Sequence, residues 1–368
     1  MPDLSEDLKI ISKKEESYIK QIKDFENYWY LGERFQFNSY AGYTNAPYKS
    51  ETLNFSKQGF RGGEKTFKKV NKNKRVAIFG PSGLVGIPVA KDNETITFFA
   101  NEFFKKNSID IDVLDFGVIC SRIGIEDRLI TKTLNEYDVD IVVLMSGFND
   151  FSSFTIGSMW EYQDIQDIYE AGFEFNKNST KPMYFFKRLI KSLKRKFEIR
   201  RAEKLSIKTF RGAEKFFRAK RAKIIDNVSF PDVLEEGLEL YFSTISKIIS
   251  LCEFKKKKFI FLPQPTLFNT NKSLSIYEEA SFRRQNNFFG QDEDLNNIRI
   301  NKFKNYYDDF RTKAKKEIED SKSIFLDADL EISKISKSED IFYDESHYFE
   351  KGNKIIGELI SKYIAKNF

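Results

Sequence analysis

The sequence predicts an α/β protein built on a three-layer α/β/α, flavodoxin-like parallel sheet. The first observation is that short apolar runs, such as residues 76–79 and 141–145, alternate with stretches of helical periodicity. Such runs are typical of parallel strands that helices cover on both faces. The second observation is that glycine-containing polar turns follow these runs, at the edge of the sheet where α/β proteins bind ligands.

The first 73 residues are predicted to form a helix and an extended segment wrapped on the main domain. Charged and apolar residues alternate over residues 5–26, which favours a helix at the surface. Residues 27–65 are rich in aromatic and turn residues and show no regular period. We therefore expect residues 1–73 to precede a main domain at residues 74–368.

The main domain is expected to alternate strands and helices, as parallel sheets require. The predicted strands are residues 76–79, 109–116, 141–145, 258–262 and 324–327. The predicted helices are residues 94–106, 122–137, 232–252, 276–290, 295–320 and 349–366. The alternation stops at about residues 151–231, which we expect to be a helical insertion.

The composition excludes several classes of protein. No uncharged apolar run of about 18 residues is present, so a membrane span is not expected. The start shows no basic and apolar signal regions, which favours a cytoplasmic location. Cys120, Cys252 and a single histidine are too few for a disulfide framework or a zinc cluster, so neither a metal nor an organic cofactor is expected. The oligomeric state is not predicted.

The only histidine, His347, lies in the run Asp344-Glu345-Ser346-His347. Imidazole can take a proton from a hydroxyl near neutral pH, and a carboxylate three residues away can reach and orient it. A serine on a strand-to-helix turn would complete a catalytic triad. Ser82 has this placement, in Gly80-Pro81-Ser82-Gly83 after the first predicted strand.

These features, taken in order, resemble the sequence pattern of the SGNH (GDSL-type) hydrolase family. The pattern continues with Gly117 after the second strand and with Gly147-Phe148-Asn149-Asp150 after the third, and it ends with the Asp-x-x-His run. The resemblance covers about residues 74–150 and 322–368. The family's first motif reads Gly-Asp-Ser, and Pro81 stands here in place of that acid.

The resemblance implies the role of each residue in the site. Ser82 would be the nucleophile, His347 its base and Asp344 the acid that orients the imidazole. The oxyanion would be held by the backbone N–H groups of Ser82 and Gly117 and by the side-chain amide of Asn149. The implied reaction is hydrolysis of an acyl ester, such as an acetyl group on a carbohydrate or glycan.

Several alternatives remain open on the sequence alone. The same site could transfer the acyl group to a glycan, because water and a sugar hydroxyl attack the same acyl-enzyme. Pro81 could mark an inactive protein that binds a polyanion, and Glu345 could replace Asp344 as the orienting acid. Residues 80–86 also resemble the glycine-rich turn of short-chain dehydrogenases, which bind NAD(P). None of the 17 tyrosines is followed by a lysine four positions on, which disfavours that last alternative.

Residues 181–223 carry a large positive charge. They contain 17 Lys or Arg residues against three Glu residues, a local charge of +14, whereas the whole chain carries +6. Apolar residues at helical spacing accompany this charge: Phe186, Leu189, Ile190, Leu193 and Phe197. Such a basic amphipathic helix is expected to bind an anionic membrane surface or an acidic polysaccharide and to cover the site as a lid. Nucleic acid is not expected, because no known nucleic-acid-binding module accompanies the basic run.

Overall fold

The computed structural model describes residues 5–31, 34–69, 73–156, 234–286 and 293–368. Its N-terminal part contains helices α1 (Ser5–Glu16) and α2 (Ile19–Glu26), a π-helical turn (Asn27–Leu31), and strands β1 (Phe35–Asn38), β2 (Gly42–Asn45), β3 (Tyr48–Lys49) and β4 (Asn54–Phe55). β1 pairs with β2 and β3 with β4, both antiparallel.

The prediction of one surface helix over residues 5–26 is wrong in two respects. The helix is interrupted at Ser17 and Tyr18, which lie between α1 and α2. It is also not confined to the surface, because Ile11, Ile22 and Phe25 are buried. Ile11 and Ile22 pack in one cluster with Tyr343, and Phe25 packs in another with residues of the main domain.

A five-stranded parallel sheet forms the centre of the main domain, in the order β6-β5-β7-β8-β9. Its strands are β5 (Lys74–Gly80), β6 (Ile111–Gly117), β7 (Ile141–Ser146), β8 (Lys258–Pro263) and β9 (Ile324–Phe325). This is the flavodoxin-like order, and the chain reverses direction across the sheet between β6 and β7. The carboxyl end of β5 therefore lies at the topological switch point, where open α/β sheets form their binding crevice.

Helices cover both faces of this sheet and produce the predicted three layers. The helices are α3 (Ser82–Val85), α4 (Ile96–Lys106), α5 (Ile123–Glu136), α6 (Phe148–Ile156), α7 (Leu234–Phe254), α8 (Ile276–Asn286), α9 (Glu293–Asp320), α10 (Asp329–Ile332) and α11 (Glu350–Asn367). α4 and α11 pack on one face with Val76 and Ile78 of β5. α5, α7 and α9 pack on the other face with Ala77 and Phe79, as the two-residue period of a strand requires.

The region after β7 differs from the sequence prediction. Gly147-Phe148-Asn149-Asp150 was expected as a turn, yet α6 begins at Phe148 and continues to Ile156. Apolar packing explains the helix, because Phe148 and Phe151 both contact Phe303 of α9. The basic segment 181–223 and most of the predicted insertion lie outside the described residues. No helix within the described ranges is long and apolar enough to cross a membrane.

Candidate active site

Ser82 lies on a tight turn at the carboxyl end of β5. Pro81 precedes α3, and its carbonyl accepts the backbone N–H groups of Leu84 and Val85 at 2.9 and 3.3 Å. The φ of Pro81 is −81°, close to the value that its ring imposes, so proline fits this position. Gly86 ends the single helical turn with a φ of 78°. Pro81 therefore does not prevent the turn that presents Ser82.

Ser82, His347 and Asp344 form a continuous chain of side-chain hydrogen bonds. The Oγ atom of Ser82 lies 2.8 Å from Nε2 of His347, and Nδ1 of the same ring lies 2.6 Å from Oδ1 of Asp344. Their exposed fractions are 9%, 8% and 0% in the order serine, histidine, aspartate. A carboxylate at Nδ1 favours a proton on that nitrogen, which leaves Nε2 to accept the proton of the serine hydroxyl.

The backbone around Asp344 distinguishes it from Glu345. Oδ1 of Asp344 also accepts the backbone N–H groups of Ser346 and His347, at 3.2 and 3.0 Å. Asp344 does not cap the final helix, because Phe349 is the residue that precedes that helix. Glu345 contributes its backbone carbonyl to the N–H of Leu267 at 3.0 Å. Asp344 is therefore the carboxylate that faces the imidazole in this structure.

The serine turn packs directly against the loop that carries His347. Gln264, at the end of β8, donates from Nε2 to the carbonyl of Ser346 at 2.8 Å. A Cβ atom on Gly83 would lie 2.6 Å from that Nε2 and 2.9 Å from the Ser346 carbonyl oxygen, so only glycine fits. The side of the turn at Gly83 is thus filled by Gln264 and the loop that carries His347.

The three predicted oxyanion donors differ in their contacts. Among the described residues, the backbone N–H of Ser82 has no acceptor, as a site for an incoming oxyanion requires. The N–H of Gly117 donates to Oδ1 of Asp115 at 2.8 Å, so that bond would have to be shared or broken. Asn149 donates from Nδ2 to the carbonyl of Ser121 at 2.8 Å. The oxyanion roles of Gly117 and Asn149 stay predictions.

The loop after β6 turns at Cys120 and not at a glycine. Cys120 has a φ of 60°, a left-handed conformation that residues other than glycine seldom adopt. It is partly exposed, whereas Cys252 is buried. The described residues contain no group of three or more histidine, cysteine and acidic side chains placed to hold a metal ion.

A buried acidic residue, which the sequence analysis did not identify, lies beneath this loop. Oε1 of Glu126 accepts the hydroxyl of Ser121 at 2.9 Å, and Oε2 lies 2.5 Å from the hydroxyl oxygen of Ser146. Burial, reinforced by the charge of Asp150, raises the pKa of Glu126 to about 8. A protonated Glu126 can therefore join Ser121, in the loop after β6, to Ser146, at the end of β7, at neutral pH. The sequence does not indicate that Glu126 is buried, because a glutamate within a helical pattern is usually exposed.

The unfolding free energy should depend on pH through Glu126. Its pKa is about 8 in the folded protein and about 4.3 in an unfolded chain, so folding retains a proton between these values. This contribution is complete below the unfolded pKa and is lost as the pH rises through 8, by at most about 1.4 kcal/mol per pH unit. Glu126→Gln imitates the protonated form and should lack this loss.

Urea denaturation of the wild type and of Glu126→Gln from pH 5 to pH 9 measures this difference. The stability of the wild type relative to the variant should fall with rising pH and become constant above about pH 8, where Glu126 is ionised in both states. Glu136→Gln, on the exposed side of the same helix, controls for the loss of one negative charge. A difference that stays constant across the range would show that Glu126 keeps no proton on folding.

Comparison with known proteins gives matches in structure only. No model of a known family matches the sequence, and no curated protein sequence matches it. The chain is similar to a GDSL-like lipase from Bacteroides thetaiotaomicron VPI-5482, at 12% identity and a TM-score of 0.41, over 82% of this chain and 92% of that one. It is similar to a catalytic mutant of an acetylxylan esterase from Geobacillus stearothermophilus, at 11% identity and a TM-score of 0.41, over 82% and 97% of the two chains. An α/β hydrolase enzyme from the metagenome of Lake Arreo, Spain, gives 10% identity and a TM-score of 0.41, over 79% and 95%.

Proposed function

We propose that the protein is a serine esterase that removes a small acyl group, such as acetyl, from a hydroxyl of a carbohydrate or glycan. The observation that carries the reaction type is the hydrogen-bonded chain from Ser82 Oγ through His347 to Asp344. A hydroxyl whose hydrogen bond ends on an imidazole, with a carboxylate behind it, is the arrangement that activates serine as a nucleophile.

Each residue has a defined task in this chemistry. Nε2 of His347 takes the hydroxyl proton as Ser82 Oγ bonds to the ester carbonyl carbon, and the carbonyl electron pair moves onto its oxygen. The N–H of Ser82 donates to that oxyanion, together with the donors predicted at Gly117 and Asn149. The intermediate collapses when the alcohol leaves with the proton from His347. Water then attacks the acyl-serine by the same steps and releases the carboxylic acid.

The substrate class is supported by the motif resemblance and by the position of Ser82. Ser82 lies at the switch point of the sheet, where open α/β folds bind their ligands. The resemblance favours an acylated carbohydrate over other esters. Transfer of the acyl group to a glycan hydroxyl is the second candidate, because the acyl-enzyme has the same structure in both reactions.

Intact-mass measurement tests this function without knowledge of the natural substrate. The full chain, mixed with an activated acetyl ester and quenched at early times, should gain one acetyl group, and a fluorophosphonate should add one phosphonyl group. Peptide mapping should place both on Ser82. Addition of an oligosaccharide then separates the two candidates, since hydrolysis yields acetate and transfer yields acetylated sugar. A protein that gains neither group would contradict both and would favour a binding protein.

The basic segment 181–223 is proposed to bring this site to its substrate. Its local charge of +14 is suited to an anionic membrane surface or an acidic polysaccharide. A lipid-linked glycan at a membrane face would satisfy both this preference and the proposed chemistry.

A further inference from the structure

We propose that Asn45, in the N-terminal segment, is a positioning residue that fixes the loop of residues 117–121 beside Ser82. This proposal rests on the proposed function, because it assigns Asn45 to the same catalytic centre. The loop, called here the switch-point loop, begins at the predicted donor Gly117, which is the last residue of β6. The site would then be completed by a part of the chain that precedes the main domain.

Asn45 binds the switch-point loop with both ends of its side-chain amide. Nδ2 donates to the carbonyl of Gly117 at 2.9 Å and to the carbonyl of Gly59 at 2.8 Å. Oδ1 accepts the backbone N–H of Ile119 at 3.0 Å. The side chain is 0% exposed, so water does not compete for these bonds. The amide donates to one backbone group of the loop and accepts from another, so it fixes both the distance and the orientation of the loop relative to Asn45.

Tyr43 adds a second contact from the same strand. Its hydroxyl donates to the carbonyl of Cys120 at 3.0 Å, at the residue where the loop adopts a left-handed conformation. Tyr43 and Asn45 are two positions apart in β2 and therefore point to the same side of it. The N-terminal segment thus holds the switch-point loop over residues 117–120.

The other side of the loop contacts the site itself. Asn149, a predicted oxyanion donor, donates to the carbonyl of Ser121 at 2.8 Å. The N–H of Val118 donates to the carbonyl of Gly80 at 3.0 Å, two residues before Ser82. A displacement of the loop would therefore move the acceptor that orients Asn149 and disturb the turn that carries Ser82. Asn45 can therefore affect the positions of Asn149 and Ser82 through the loop, without contacting either residue.

Asn45 can act as a fixed reference because its segment is firmly attached to the serine turn. The buried guanidinium of Arg61 donates to the carbonyl of Val85 at 2.5 Å, and to the carbonyls of Thr52 and Ala90 at 2.9 and 2.7 Å. Its Nε donates to Asp92 at 2.7 Å. These bonds join the N-terminal segment to the end of α3. They therefore hold Asn45 at a fixed position relative to Ser82.

The test compares Asn45→Ala with Asn54→Ala in the full chain. Asn54 lies in the same segment, but its amide donates to Asp92 and not to the switch-point loop. Its removal leaves the bonds of Arg61 to the carbonyls of Val85, Thr52 and Ala90, so the attachment to α3 is kept. We expect Asn45→Ala to lower kcat per fluorophosphonate-labelled site by about 10- to 100-fold, since small misplacements of catalytic groups have effects of this size. Asn54→Ala should stay within about 2-fold of the wild type. Normalising to labelled sites removes any loss that comes only from unfolded protein.

Two further measurements strengthen the test, and the first of them does not depend on whether Asn45→Ala folds. Tyr43→Phe removes only one hydroxyl and should lower kcat in the same direction by a smaller factor. Combining Asn45→Ala with Asn149→Ala should reduce kcat by less than the product of the separate effects, because both act through the same loop. Independent effects that multiply, or a wild-type kcat in Asn45→Ala and Tyr43→Phe, would overturn the proposal.

Amide hydrogen exchange separates this inference from the proposed function. The N–H of Ile119 donates to Asn45, so it should exchange faster in Asn45→Ala and at the wild-type rate in Asn54→Ala. This readout needs no substrate. Faster exchange without any esterase activity in the wild type would reject the function and keep the contact, whereas unchanged exchange would reject the positioning role even in an active esterase.

Discussion

Replacement of Ser82 by alanine should lower kcat for acyl esters by about 10⁶-fold, the loss typical when a triad nucleophile is removed. The variant has no oxygen to bond to the ester carbonyl, and His347 loses the hydroxyl that lies 2.8 Å from its Nε2. The substitution removes a single oxygen atom from a side chain that is 9% exposed, so the fold should stay intact. Steady-state hydrolysis of an activated acetyl ester, with circular dichroism as a check of folding, measures the effect.

Ser250→Ala is a matched control for this variant. Ser250 lies on the exposed side of α7, and its hydroxyl donates only to the carbonyl of Ser246 in the preceding turn. It should keep wild-type kcat and gain one phosphonyl group as the wild type does. Persistent labelling of Ser82→Ala at a single new position would instead assign the nucleophile to another residue.

Asp344→Asn should lower kcat by about 10⁴-fold while the protein stays folded. An amide can present its N–H₂ to Nδ1, which favours the imidazole tautomer with the proton on Nε2 and removes the acceptor for Ser82. It also loses the negative charge that stabilises imidazolium during proton transfer. In this orientation the –NH₂ group takes the place of Oδ1, so the backbone N–H groups of Ser346 and His347 lose their acceptor and the melting temperature should fall modestly. The rate at saturating substrate and the melting temperature separate chemistry from folding.

Glu345→Gln provides the comparison for the neighbouring carboxylate. The imidazole faces Asp344 at 2.6 Å, so Glu345→Gln should remain within a few-fold of the wild type. The reverse pattern, with normal turnover in Asp344→Asn and a large loss in Glu345→Gln, would exchange the roles of the two acids.

The fold could be predicted because the central strands contain continuous apolar runs. Runs such as Val76–Phe79 and Ile141–Met145 are buried on both faces, and this requirement appears directly in the sequence. The short β strands of the N-terminal part could not be predicted in this way. They are two to four residues long, and their register depends on pairing within two small sheets.

The reactive residues of the site could be predicted better than the residues that hold them. Ser82, His347 and Asp344 belong to local patterns whose spacing carries chemical meaning, and the structure brings them into contact. Asn45 gave no such signal, because its partner Gly117 is 72 positions away and the contact exists only after folding. Glu126 likewise resembles any helical glutamate until its hydrogen bonds with Ser121 and Ser146 are seen.

Residues that are far apart in the sequence meet at this centre, so the centre forms late during synthesis. Ser82 and His347 are 265 positions apart, and the hydroxyl of Tyr343, beside Asp344, donates to Glu15, 328 positions earlier. A ribosome therefore completes the whole sheet before the nascent chain acquires its base. Closing such long loops is slow and occurs late in folding. The proposed catalytic site therefore forms only after His347 has been synthesised and has folded against Ser82.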